Sequence, residues 1–209
     1  GTITLVTGTG GAFIDNAGSV TLGTSVLGST ATPLTLSATG SLTTSGAINA
    51  AGGTVSLSAQ NALTVNGGIT TTGTGQISLT TTGGGNAITL NAAMSSGSGQ
   101  ITATSAGAVT ENAGGTFGTS GLLQTSSAGG QTLGQANTVG SFNATNTTSG
   151  DVVFNNMSNP VVFAGISNTG TGIDTMSNEG ARLAWYAGRP FVQVADARIE
   201  LRGQGQVDE

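Results

Sequence analysis

Apolar and polar residues alternate along this chain in short segments separated by glycine-rich turns. In the segment 54–58, Val55 and Leu57 lie on one side of the chain and the hydroxyl residues on the other. A period of two is typical of a β-strand with one buried face. We therefore predict that Val55 and Leu57 point inward and that Thr54 points outward.

Two further strands follow within the same repeat. Leu63 and Val65 alternate in the second strand, the dipeptide Asn66-Gly67 marks a tight turn, and Ile69 begins the third strand. Asn and Gly tolerate the positive φ angles that such turns require. The sequence thus predicts three strands and three turns in each repeat, with Leu63 and Val65 facing inward.

The same pattern recurs through residues 1–172, and Gly53, Gly75 and Gly99 begin three successive repeats. Leu79 and Leu90 take the inward positions of the next repeat. A period in this range, built from strands and glycine turns, indicates stacked units that share one core. The predicted fold is all-β: a single-stranded right-handed parallel β-helix, or β-solenoid, with about seven to nine coils of roughly 22 residues.

The sequence also contains a longer repeat in addition to the one of roughly 22 residues. Residues 12–18 match residues 108–114 at an offset near 96 residues, and later segments keep the same order. The body, residues 1–172, is therefore predicted to hold two copies of a four-coil block, the second incomplete. Asp15 and Glu111 take matching positions in this alignment, and each is predicted to cap a turn.

The amino-acid composition excludes several classes of function. The chain has 37 glycines, no cysteine, no histidine, and a net charge of −5, and its four basic residues are all arginine. Disulfides and structural zinc need side chains that are absent, and nucleic acid requires a cationic surface. No apolar run approaches the roughly 18 to 20 residues that span a bilayer. A flexible linker is the alternative to a folded solenoid, but disordered chains usually lack such alternation and carry more charge.

Catalysis and metal binding are also disfavoured. Many β-helices act on polysaccharides, and glycosidases need two carboxylates roughly 5 to 9.5 Å apart. Asp15 and Glu111, four coils apart, would be separated by roughly 19 Å along the axis. Calcium prefers six to eight oxygen ligands, so one acid in four coils is too sparse. We predict no enzyme activity, no cofactor and no metal.

Threonine and asparagine raise two further questions. Ice-binding solenoids display regular Thr-x-Thr rows, but clusters such as Thr70–Thr72 and Thr80–Thr82 fall at different phases of the coil. No single flat row is predicted. Asparagines recur as well, and stacked amides or turn formation account for them better than ligand binding does; they are Asn61, Asn112, Asn137 and Asn159.

The composition changes near residue 172, because all four arginines and the only Trp and Tyr lie beyond it. The segment 173–209 is predicted to cap the solenoid end, since open β-edges are usually covered by charge or bulk. The alternative is a distinct module or subunit contact, in which the aromatic residues could also stack on a sugar. The candidate cap or contact residues are Arg182, Trp185, Tyr186, Phe191, Arg198 and Arg202.

Residues 1 to about 172 resemble the passenger repeats of bacterial filamentous-haemagglutinin-type exoproteins and large autotransporter adhesins. The segments 61–68, 108–114 and 136–140 carry the resemblance. The secretion-domain signature of that family is missing, because Asn159-Pro160 is followed by valine, and no Arg-Gly-Asp occurs. The resemblance implies a β-helical shaft without the export signal or a receptor motif.

The expected function is a non-catalytic structural shaft of a secreted or surface-displayed bacterial adhesin or exoprotein. The alternative is a self-assembling extracellular filament or matrix subunit, and a polysaccharide-active β-helix enzyme is less favoured. Expected partners are the rest of a larger exoprotein, copies of the chain, or a host-surface glycan or protein. Neither nucleic acid nor a membrane span is expected, and the expected location is extracellular or at the bacterial cell surface.

Overall fold

The computed structural model describes residues 1–28, 32–158, 161–169, 173–178, 181–186, 189–191 and 200–201. In these residues the chain is all-β and contains no helix. Its strands form a parallel β-solenoid of about eight turns with a spacing of about 22 residues. The predicted fold class is confirmed.

Each turn places its strands in three parallel stacks. The first stack contains β1 (Thr2–Ile3), β4 (Val20–Leu22), β7 (Leu42–Thr44), β10 (Leu63–Val65), β13 (Ile88–Leu90), β16 (Val109–Glu111), β19 (Val152–Asn156) and β21 (Ile173–Asn178). The second contains β2 (Val6–Thr7), β5 (Ser25–Leu27), β8 (Ile48–Ala50), β11 (Ile69–Thr71) and β14 (Met94–Ser95). The third contains β3 (Ala12–Asn16), β6 (Leu34–Ala38), β9 (Val55–Ala59), β12 (Ile77–Thr81), β15 (Ile101–Thr104) and β20 (Val162–Asn168).

Two long strands pass around corners of the solenoid. β17 (Phe117–Ser127) continues the second stack and then the third. β18 (Gln131–Asn146) joins the first stack at Gln131, the second at Thr138 and the third from Ser141. Register shifts mark where these strands change direction. In turns six and seven the corners are therefore made by bent strands.

The inward face of each strand is the one that the alternation predicts. Leu57, Leu63, Leu79 and Leu90 are all 0% exposed, whereas Thr54 is exposed. Burial of an aliphatic side chain of this size stabilises the fold by about 1.5 to 3 kcal/mol. Because equivalent residues pair in register, they form continuous columns of Leu, Val and Ile along the axis.

The types of residue that fill the interior differ along the axis. Turns two to five bury mainly Leu, Val and Ile. Turns six to eight bury aromatic and amide side chains as well, and these are Phe117, Phe142, Phe154, Phe163, Gln131, Asn137, Asn146 and Asn156. The rings of Phe142 and Phe154 stack with centroids 3.9 Å apart, and Phe163 meets both edge-on. The C-terminal half of the core is thus held by stacked rings and hydrogen bonds.

The parallel arrangement ends in antiparallel strands. β21 pairs in parallel with β19, and Met176 is buried in the core. β22 (Ala181–Tyr186) then pairs antiparallel with β21, and β23 (Arg189–Phe191) pairs antiparallel with β22. β24 (Glu200–Leu201) pairs in parallel with β20. Parallel pairing therefore includes both β21, which ends at Asn178, and the short β24.

The two segments matched by the longer repetition occupy different stacks. Residues 12–16 form β3 in the third stack, whereas residues 109–111 form β16 in the first. The match at an offset near 96 residues therefore does not mark structurally equivalent positions. The predicted equivalence of Asp15 and Glu111 is wrong, because every stack requires the same apolar–polar alternation and the matched sequence fits either one.

Gly99→Ala should destabilise the solenoid by about 1 to 3 kcal/mol or more, the usual range for overpacking. A Cβ at residue 99 would lie 2.0 Å from the carbonyl oxygen of Gly75 in the preceding turn. That oxygen belongs to the backbone, so the two turns would have to separate. Gly84→Ala is the matched control, because a Cβ there meets nothing within 4 Å. Urea unfolding of both variants measures the difference, and equal midpoints would contradict the close packing of turns at this corner.

Candidate functional site

The predicted cap or contact residues lie partly within the described chain. Arg182, Trp185 and Tyr186 belong to β22, where their partners in the antiparallel register are Ser177, Asp174 and Ile173. Phe191 ends β23 opposite Ala184. Arg198 and Arg202 lie outside the described residues. The choice between an end cap and a subunit contact stays a prediction.

Asp15 and Glu111 have opposite environments. Asp15 is exposed on β3, where its carboxylate accepts a hydrogen bond from the hydroxyl of Ser37 in the next turn. Glu111 points into the solenoid and is 5% exposed. Glu111 caps a corner of the following turn from inside the solenoid, because its carboxylate accepts a hydrogen bond from the Gln135 N–H.

Glu111 is the buried carboxyl of the described core. Its Oε2 accepts hydrogen bonds from the Gln135 N–H at 3.0 Å and from the Asn137 side-chain amide at 3.2 Å. Its Oε1 is buried without a hydrogen-bond partner. Burial raises the pKa of Glu111 from 4.5 to about 7, and the two hydrogen bonds oppose this rise. A carboxyl in such a site keeps its proton to a higher pH because the charged form is poorly solvated.

Asn137 connects three turns around this carboxyl. Its Nδ2 lies 3.1 to 3.3 Å from the carbonyl oxygens of Leu133, Gln135 and Asn155, besides Glu111 Oε2. Its Oδ1 accepts a hydrogen bond from the Phe117 N–H at 2.7 Å. An amide group has only two protons to donate, so four oxygens compete for them. These contacts join residues of three consecutive turns around the buried carboxyl.

The outer faces carry hydroxyl groups in register. In the first stack one threonine from each of seven consecutive turns lies over the next: Thr2, Thr21, Thr43, Thr64, Thr89, Thr110 and Thr132. The prediction that threonines form no single row is wrong for this stack. The third stack carries two parallel rows of Ser and Thr: Thr35, Ser56, Ser78 and Thr102, and then Ser37, Ser58, Thr80 and Thr104.

An amide ladder follows the first stack, as expected for recurrent asparagines. Asn112 donates to Asn91 and Asn91 donates to Asn66, each at 2.7 Å. Of the asparagines named from the sequence, only Asn112 belongs to this ladder. Asn137 instead lies in the core, and Asn159 is outside the described residues. Hydroxyl rows and the amide ladder give the wall a regular, uncharged polar surface.

A groove of about 460 Å³ lies beside the second stack, and we call it the hydroxyl groove. Small residues of consecutive turns line it, among them Ser95, Ser96, Gly118, Thr119, Ser120 and Thr138. Ser95, Gly118 and Thr138 are in register. Glycine at the middle turn leaves a gap between two hydroxyl residues. The repeat pattern of the sequence does not predict this groove.

Asp151 and Glu111 lie in different environments. Asp151 precedes β19 and is exposed, whereas Glu111 faces the interior two turns earlier. In the described part of the chain no three acidic, histidine or cysteine side chains come close enough to hold a metal ion. The described segments also include no helix that is long and apolar enough to cross a bilayer.

Comparison of the chain with protein-family models, with curated proteins and with solved structures gives no match in any of the three.

Proposed function

We propose that this chain is a non-catalytic structural shaft of a secreted or surface-displayed bacterial adhesin or exoprotein. The observation that supports the proposal is the uninterrupted stack of about eight turns around one core. Hydrogen bonds between turns run along the axis, and the inward columns exclude water through the length of the stack. Such a body projects whatever is attached to it, with weak self or sugar contacts through its Ser, Thr and Asn faces.

Surface chemistry supports the same role. Regular hydroxyl rows and an amide ladder cover the wall, and the interior carboxyl Glu111 is shielded from solvent. In residues 1–28 and 32–158 charged side chains are few, so that part of the wall has no strong electrostatic attraction for nucleic acid or other polyions. The partners we propose are therefore the rest of a larger exoprotein, or a host-surface glycan or protein met at the cell exterior.

A self-assembling filament or matrix subunit is the second candidate, and one observation favours it. On the outer face of the second stack, Val6 in β2 and Val26 in β5 are paired in register, and both side chains are exposed. Val6 is 83% exposed and Phe13 is 72% exposed on the first turn. Exposed apolar side chains that lie close together are candidates for contact with another chain.

Sedimentation and electron microscopy of the purified chain separate the two candidates. We expect a monomer for the shaft, and the same result for Val6→Lys and for the control Thr110→Lys in the middle of the wall. Filaments formed by the unaltered chain and abolished by Val6→Lys, but not by Thr110→Lys, would establish the second candidate instead.

Removal of residues 179–209 is a separate prediction about the C-terminal strands. β22 covers the free edge of β21, so a chain ending at Asn178 should expose that edge and aggregate as concentration rises. Light scattering against concentration measures this for both lengths. A truncated chain that stays as monomeric as the full one would show that residues 179–209 do not act as a cap.

A further inference from the structure

The hydroxyl groove has a gap of defined size above Gly118. If residue 118 carried a Cβ, that atom would lie 3.3 Å from Thr138 Oγ1 and 3.7 Å from Ser95 Oγ. Hydroxyls from two different turns therefore approach the same point from opposite sides. A ligand group placed above Gly118 can reach both of them.

The wall of the groove is held in place by hydrogen bonds to the loop that follows β14. Ser96 and Thr119 both donate to the carbonyl oxygen of Gly99, at 2.5 and 2.7 Å, and Ser120 donates to the carbonyl oxygen of Gly97 at 3.1 Å. These three hydroxyls are committed to the protein. Because these side chains are already held in place, binding a ligand costs less conformational entropy.

Ser95 and Thr138 differ from these wall residues. Both are exposed, and neither hydroxyl hydrogen-bonds to another described residue. Each hydroxyl can donate one hydrogen bond and accept two. The groove thus combines a fixed wall with two unoccupied hydroxyls that face one gap.

We propose that the hydroxyl groove binds a neutral oligosaccharide, with a sugar hydroxyl held between Ser95 and Thr138 above Gly118. An anionic ligand would find no cationic side chain among the lining residues. An apolar ligand would bury hydroxyls without partners, which costs about 1 to 3 kcal/mol for each group. A neutral ligand with many hydroxyls satisfies both conditions.

The dimensions agree with a short sugar chain. The groove volume of about 460 Å³ is within the usual range for small-molecule sites, about 300 to 1,000 Å³. Ser95, Gly118 and Thr138 span two coil spacings, roughly 10 Å along the axis. The sugar chain would therefore lie along the solenoid. With an open groove and no aromatic platform, we expect a Kd near the millimolar range.

NMR titration of the full chain with maltotriose and cellotriose tests the proposal. We expect saturable shifts of the amides of residues 95, 118 and 138 with at least one of these sugars, and weaker binding of trigalacturonate. Gly118→Val, which fills the gap, and the double change Ser95→Ala with Thr138→Val should each weaken binding at least tenfold. Thr64→Val, on the first stack, is the control and should bind as the unaltered chain does.

Three results would overturn the proposal. They are the absence of saturable shifts at these amides with both neutral sugars, equal binding by Gly118→Val, and tighter binding of trigalacturonate. Amide spectra of the variants show directly whether they remain folded, so a loss of binding can be assigned to the groove. The proposal rests on the sugar contacts included in the proposed function and assigns them to one groove. The two can still fail separately, because a chain that binds no sugar can still be a monomeric rod.

Discussion

Glu111→Gln is expected to raise the stability of the protein at pH 8 by about 3 kcal/mol and to leave it almost unchanged at pH 4. The pKa of Glu111 is about 7 in the folded protein, against 4.5 for an unperturbed group. Between these values the unfolded chain loses its proton while the folded chain keeps it. Ionisation then favours the unfolded state, so stability falls as pH rises from about 4.5 to about 7.

The size of this stability change follows from the pKa shift of Glu111. Each pKa unit corresponds to about 1.4 kcal/mol, so the full loss above pH 7 is about 3 kcal/mol. Glutamine has the shape of the protonated carboxyl and can accept the same hydrogen bonds from Gln135 and Asn137. Because glutamine cannot ionise, the loss of stability at high pH disappears in Glu111→Gln.

Urea unfolding from pH 4 to pH 8 measures this difference. Asp15→Asn is the matched control, since it removes one carboxylate from an exposed position and changes the net charge equally. The expected result is a flatter pH profile for Glu111→Gln alone. If Glu111→Gln and the unaltered protein lose stability in parallel between pH 5 and pH 7, the buried carboxyl does not govern this range.

Phe154→Ala is expected to lower the free energy of unfolding by about 3 to 5 kcal/mol, the usual cost of removing a buried phenyl ring. Phe154 is fully buried, its ring stacks on Phe142 at 3.9 Å, and Phe163 meets it edge-on at 6.3 Å. Removing the ring leaves a cavity and ends two aromatic contacts, each worth about 0.5 to 1.5 kcal/mol.

Phe13→Ala is the control for the aromatic cluster, because Phe13 is 72% exposed on the outer face of β3. Its effect should stay within about 0.5 kcal/mol. Urea unfolding at pH 6 compares the two variants directly. Similar losses for Phe13→Ala and Phe154→Ala would mean that the assignment of inner and outer faces is incorrect.

The alternation predicts the fold well because burial acts on every strand in the same way. Val55 and Leu57 must face one side, and a repeat length near 22 residues allows each to lie over its equivalent in the next turn. Leu57 and Leu79 do so in the structure. Core positions in the regular turns could therefore be predicted from local sequence alone.

The stack that contains Glu111 could not be predicted in the same way. The segment around Glu111 resembles the one around Asp15, but a strand of alternating residues fits any of the three stacks. Which stack holds Glu111 depends on how many residues the preceding corners contain, whereas its inward facing follows from the alternation, because it lies two residues after the buried Val109. The groups that donate hydrogen bonds to the buried carboxyl belong to Gln135 and Asn137 in the following turn. The alternation near Glu111 does not predict these partners.

The hydroxyl groove was missed for a related reason. Ser95, Gly118 and Thr138 are in register, although the intervals between them are unequal, 23 and then 20 residues. A fixed repeat length therefore misaligns them. The signal that could have found them is the inward residue that precedes Ser95 and Gly118, because Met94 pairs with Phe117.

The near-constant spacing between paired residues has a consequence for how the chain can fold and lengthen. Each strand meets partners about one turn away in sequence, as Leu57 does with Leu36 before it and Leu79 after it. The loop that must close to add a turn is thus of similar size wherever the turn is added, between 19 and 25 residues in the pairs of β10 with β13, β14 with β17 and β17 with β18. Its entropic cost does not grow with the total length of the chain. A folded nucleus can extend one turn at a time in either direction. Insertion or loss of a whole turn changes the reach of the rod by roughly 4.8 Å and leaves the contact pattern of the remaining turns as it was.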